Sequence, residues 1–95
     1  MITEDLKVAS GTSCTKLAGA IAGIILKGNE CTMTSIGAGA LNQSIKAVCI
    51  AQRMLAPNGI IISVRPGFAT LDLSGEKGGK EGETTAIRLK VLVEK

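Results

Sequence analysis

The sequence has no histidine, tryptophan or tyrosine, and a single phenylalanine, Phe68. Without imidazole it lacks the usual general base for neutral pH and the usual nitrogen ligand for zinc. With one aromatic ring, base stacking along a single strand is poorly served. Carboxylates are sparse and sit mostly near the termini and in one late glycine-rich stretch. Ser10, Thr12 and Ser13 have no evident activating partner. An enzyme is therefore not expected, and neither is a cofactor or a metal. The three cysteines, Cys14, Cys31 and Cys49, include no Cys-x-x-Cys pair. An odd, scattered set gives no disulfide framework and suits a reducing cytosol. They read as small buried hydrophobes. Cys14, at a predicted helix start, is the exception, since that position favours thiol reactivity. Long apolar runs are missing too: Leu17 to Leu26 is 10 residues, against the roughly 20 of a membrane span. Thr3, Glu4 and Asp5 interrupt the start, so no signal peptide is read. The expectation is a cytoplasmic protein.

What is present is aliphatic. Ninety-five residues, 45% of them hydrophobic, make one domain (1–95) with a core of small branched side chains. Apolar surface in excess of that core is available to a second copy. The net charge of +3 is weak support for a nucleic-acid partner, so the placement of the charges decides more than their sum.

Along the chain, Leu6 to Ala9 reads as a strand. Ser10-Gly11-Thr12-Ser13 supplies helix caps. A first helix is predicted from Ser13 to Lys27, stopped by Gly28-Asn29. Its apolar face collects Cys14, Leu17, Ala18, Ile21, Ile24 and Ile25, and its opposite face Lys16, Ala20, Gly23 and Lys27. Gly19 and Gly23, four apart, suggest a close approach to a neighbour. A second strand, Cys31 to Ile36, leads through Gly37-Ala38-Gly39 into a second helix, Ala40 to Leu55, ended by Pro57-Asn58-Gly59. In that helix Asn42, Lys46 and Arg53 form the polar stripe. Leu41, Ile45, Val48 and Leu55 are expected against the sheet, leaving Ala47, Ile50, Ala51 and Met54 for the first helix or a partner subunit. Ile60 to Val64 is a third strand, interrupted at Arg65-Pro66-Gly67 and resumed from Phe68 to Leu73. Ser74 to Glu83 is a glycine-rich loop. Thr85 to Val93 alternates as the last strand.

The order β-α-β-α-β-β predicts an α/β (α+β) two-layer sandwich. Its four-stranded mixed sheet carries both helices on one face. The other face would show Lys7, Ser63, Arg65, Arg88 and Lys90.

Two loops then stand at one sheet edge. Ile36-Gly37-Ala38-Gly39-Ala40-Leu41-Asn42 is a strand, a glycine turn and a helix start, a geometry that offers free N–H groups to an anion. Its glycine spacing matches part of a dinucleotide fingerprint, without the acidic residue that would hold a ribose; a plain tight turn is the simpler reading. Ser10, Gly11, Thr12 and Ser13 repeat the arrangement at the first helix. With Lys16, Asn42, Gln43 and Lys46 nearby, this edge is the candidate binding site, since ligands of open α/β sheets gather at such ends. Lys77 and Lys80 add a candidate basic arm, offset by Glu76, Glu81 and Glu83. A nucleic-acid binder, a protein-interaction module and a small-nucleotide binder remain the alternatives.

The stretch Ser35-Ile-Gly-Ala-Gly-Ala-Leu-Asn-Gln-Ser-Ile-Lys-Ala-Val-Cys-Ile-Ala51 resembles the signature of the stage V sporulation protein S family. Leu6-Lys7-Val8, Leu17-Ala18-Gly19-Ala20, Pro66 with Phe68, and Thr85-Ala86-Ile87 are similar as well. The resemblance implies an Alba-like fold, self-association to a dimer or tetramer, and binding of DNA or RNA in bacterial sporulation or a related developmental process. The chain departs from that family's pattern at Gly11, where a lysine is usual, near Cys14, where a proline is usual, and in a longer hairpin between Ser74 and Thr85. Archaeal Alba proteins have paired lysines where this chain has Ser10 and Gly11, and arginines where it has Gly37 and Gly39. Each phosphate contact so lost removes about one unit of salt dependence.

Overall fold

A computed structural model describes residues 2–72 and 83–94. The elements follow the predicted order: β1 (Thr3–Val8), α1 (Cys14–Leu26), β2 (Glu30–Ser35), α2 (Ala38–Leu55), β3 (Ile61–Asp72) and β4 (Glu83–Glu94), with a short 3₁₀ turn at Ala56–Asn58. The sheet order is β1-β2-β4-β3. β1 and β2 are parallel, with Val8 opposite Ser35; β4 runs antiparallel to β2 and to β3. The mixed four-stranded sheet with two helices is as expected.

Strand alternation sorts the two faces. Leu6, Val8, Cys31, Met33, Ile62, Leu89 and Val91 point to the helices and join Leu17, Ala18, Ile21, Ile24 and Ile25 of α1 in the core. The opposite face holds Lys7, Thr34 and Arg88 in one row and Asp5, Thr32, Lys90 and Arg65 in the next. Ser63 lies on this face too, opposite Leu92. All five residues predicted there are present, but the face is not simply basic. Asp5 accepts from Thr32 Oγ1 at 2.6 Å and from Thr34 Oγ1 at 3.0 Å, and pairs with Lys7 at 3.8 Å. Lys90 pairs with Glu30 at 3.7 Å.

Four local expectations need correction. First, β3 runs through Arg65-Pro66-Gly67 without a break. It is the edge strand, where a proline can be accommodated without loss of a ladder hydrogen bond. Second, α2 buries Ala40, Ser44, Ala47, Ala51 and Leu55, while Ile45 is 41% exposed. The buried ridge is small-sided, which lets α2 lie close to its neighbours, and Ser44 is drawn in by a hydrogen bond to Ser35. Third, a Cβ at Gly19 or Gly23 would meet nothing within 4 Å, so these glycines permit no close approach within the chain. Fourth, of the cysteines only Cys31 is buried; Cys14 is half-buried and Cys49 exposed.

β3 and β4 pair over 12 residues, from Ile61↔Glu94 to Asp72↔Glu83, whereas β2 reaches only as far as Ile87 on β4. The two strands therefore continue past the sheet as a ribbon. The extents of 45 × 26 × 19 Å record that elongation.

Candidate nucleic-acid interface

Parallel pairing of β1 and β2 puts their C-terminal ends side by side, so α1 and α2 start at one edge of the sheet. Ser13 caps α1, its Oγ accepting from the Lys16 N–H at 3.3 Å. Thr12 folds the preceding loop, accepting from the Ala9 N–H at 2.9 Å and donating its own N–H to the Ala9 carbonyl at 3.0 Å. These two hydroxyls are engaged in shaping the loop. Ser10 and Gly11 remain exposed.

The second helix starts differently. Its N-cap, Gly37, has φ 91° and ψ 159° and offers no side chain to the first turn. That positive φ requires glycine. The N–H groups of Ala38, Gly39 and Ala40 thus receive no side-chain cap, and α2 carries no acidic residue in its first turn. An uncapped helix N-terminus of this kind presents donors and a partial positive charge to an anion.

The two loops are fixed to one another. Gln43 Nε2 donates to the Thr12 carbonyl at 2.6 Å. A Cβ built on Gly39 would stand 3.0 Å from Ser10 Cβ, so the absence of a side chain there admits the first loop. Between the loops and the strand ends lies a groove of about 620 Å³, lined by Lys7, Ser10, Thr34, Ile36, Gly37 and Gly39 among others. Its one lysine, Lys7, is well exposed. Asp5, paired with Lys7 at 3.8 Å and accepting from Thr34, is the carboxylate beside the groove, while Glu30 sits at the far end of β2.

Of the sequence-predicted residues, Ser10, Gly37 and Gly39 line this groove, and Gly11 and Ala38 are exposed beside it. Thr12, Ser13 and Gln43 support its walls. Lys16 is exposed in the first turn of α1 and Asn42 at the start of the second turn of α2. Lys46 lies one turn further along α2, in a second groove of about 310 Å³ with Cys14, Cys49, Ile50 and Arg53. Lys77 and Lys80 lie outside the described residues. Lys7 and Thr34 belong to the site although sequence reading placed Lys7 only on the open sheet face. Its position one residue before the end of β1 was the available signal. Among the described residues no group of three or more candidate ligands could hold a metal ion. None of the described helices is long and apolar enough to cross a membrane.

The sequence model of the family described as Stage V sporulation protein S matches residues 4–94. The chain belongs to the stage V sporulation protein S family. Among solved structures, Alba from Thermoplasma volcanium is similar, with a TM-score of 0.60 over 97% of this chain and 100% of that one. At 12% identity the likeness is one of fold: this stage V sporulation protein S family member has the Alba-like architecture, and its site must be argued from its own residues.

Proposed function

We propose that this protein is a nucleic-acid-binding regulator that holds phosphates at the shared starting edge of α1 and α2, without catalysis. The uncapped N-terminus of α2, opening on the groove beside Lys7 and Ser10, is the observation that carries the reading. The exposed backbone of Gly11, Gly37, Ala38 and Gly39 would donate to phosphate oxygens, and Asn42 would add an amide. Lys7, Lys16 and Lys46 would supply the charge. Lys77 and Lys80, outside the described residues, are further candidates. Contacts of this type orient a duplex or a strand and read no sequence, so the role fits an assembly factor or general regulator in a sporulation-related process.

Self-association is part of the same proposal. Phe68 is 83% exposed and Ile45 is 41% exposed. Gln52 bonds Ile60 and Ile62, which turns the α2 flank carrying Leu41, Ile45 and Val48 toward β3. Phe68 shares its side of β3 with Val64 and Ile62. A second copy covering this strip would bury the apolar excess noted in the composition. The same strip favours the second reading, an oligomeric interaction module that binds no nucleic acid.

Fluorescence anisotropy with double-stranded DNA, single-stranded DNA and RNA across a salt series separates the two readings. Micromolar binding that weakens steeply with salt is expected for phosphate contact. Lys16→Glu with Lys46→Glu should lower the log–log salt slope by about 2. Absence of binding at low salt, or a slope unmoved by charge reversal, would leave the interaction module as the better account.

A further inference from the structure

Cys49 stands on α2 between two cations. Lys46 precedes it by three residues and Arg53 follows it by four, the two spacings that bring helical side chains onto one face. All three are exposed. They line one groove of about 310 Å³ together with Ile50 and Cys14, the first residue of α1. Two thiols from different helices and two cations thus share a surface pocket. Among the described residues neither Lys46 nor Arg53 is engaged in an ion pair.

The charges decide what chemistry such a pair of thiols can host. A soft metal cation would have to approach two like charges and would find no third ligand. An anionic adduct meets opposite charges on both sides. Exposed thiols in electropositive surroundings are the reactive kind, and buried ones are inert. Cys31 supplies the contrast inside the same molecule: burial pushes its thiol up to about 11, with Glu4 and Asp5 adding to the effect.

We propose that Cys49 is a site of S-thiolation by a low-molecular-weight thiol that carries carboxylates. The Cys49 thiol loses its proton to solvent and its sulfur attacks the symmetric disulfide of that thiol. One sulfur–sulfur bond breaks, one forms between Cys49 and the carrier, and the second carrier leaves as thiolate. The carrier's carboxylates lie between Lys46 and Arg53, and its stem rests on Ile50. This inference shares Lys46 with the nucleic-acid reading but needs neither the α2 N-terminus nor the 620 Å³ groove, and Cys49→Ser tests it without touching that reading's residues.

The test compares two disulfides of opposite charge, oxidised glutathione and cystamine, on the full chain under native conditions, by intact mass and peptide mapping. The expected result is modification of Cys49 ahead of Cys14 and Cys31, with glutathione disulfide about tenfold faster than cystamine at low salt and a smaller ratio at high salt. Lys46→Glu with Arg53→Glu should reverse the preference, and Cys49→Ser should abolish the fast step. Two results would overturn the proposal: a fast step that maps to Cys14, or a Cys49 rate that ignores the charge of the reagent. Circular dichroism of each variant separates a lost site from a lost fold.

Discussion

Ser35 at the end of β2 and Ser44 in the second turn of α2 share a 2.7 Å hydrogen bond in the buried layer. Ser44 Oγ also donates to the Ala40 carbonyl at 3.1 Å, so Ser35 is the donor to Ser44 and the chain of hydroxyls is satisfied. This pair ties the start of α2 to the end of β2. Ser44→Ala should destabilise the protein by about 1–2 kcal/mol, because the Ser35 hydroxyl stays buried without its partner. Ser35→Ala with Ser44→Ala should cost less than the sum of the single changes. Urea denaturation of the four variants measures the coupling.

Glycine-to-alanine changes should differ in sign by position. At Gly37, φ 91° makes any side chain strained, and Gly37→Ala should cost about 1–2 kcal/mol. At Gly19, inside α1 with open space where the Cβ would stand, the same change should stabilise by about 0.5–1 kcal/mol. Thermal or denaturant melts of the two variants check the pair. Equal effects would contradict the backbone assignment at Gly37.

The buried Cys31 thiol gives a pH signature. Its pKa is raised from an ordinary 9.0 to about 11, first by burial and then by Glu4 and Asp5. The unfolded chain therefore loses this proton at lower pH than the folded one. The stabilising contribution is complete below pH 9 and is lost as pH rises toward 11. Wild type should lose stability more steeply over that window than Cys31→Ala, whatever the offset between them at pH 8. Native Ellman titration at pH 8 should count Cys49 first and leave Cys31 silent.

The strip on β3 and α2 predicts an oligomer. Light scattering should give more than one copy for wild type, and Ile45→Glu with Phe68→Ser should shift it to a monomer. Both residues are exposed, so the far-ultraviolet spectrum should persist. A wild-type monomer at high concentration would remove the dimer from the proposed function.

The element order was legible because each element carries its own period. Alternation marked β4 from Ile87 to Val93, and 3.6-residue spacing marked Leu17, Ile21 and Ile24. Ends were less legible. β1 begins at Thr3, where charged Glu4 and Asp5 hide a strand whose outward side is bonded to Thr32 and Thr34. On α2, Leu41, Val48 and Leu55 pack against the core as expected, but size also pointed to Ile45, where packing chose Ser44 and the alanines. Pro66 looked like a break because nothing local says which strand will be the edge. In the site, the Gly37 turn was visible from its residue type. The Gln43 bond to Thr12 was not, since it spans 31 residues and exists only once both loops share an edge.

The ribbon formed by β3 and β4 has a consequence for how this protein can vary. Its inner two-thirds is locked by β2 and by the helices, while the outer third, beyond Phe68 and Ile87, pairs only with itself. Residues added or removed in equal number on both strands there leave Ile62, Leu89 and Val91 in their places. Arm length is thus a free dimension of the molecule, adjustable without renegotiating the core.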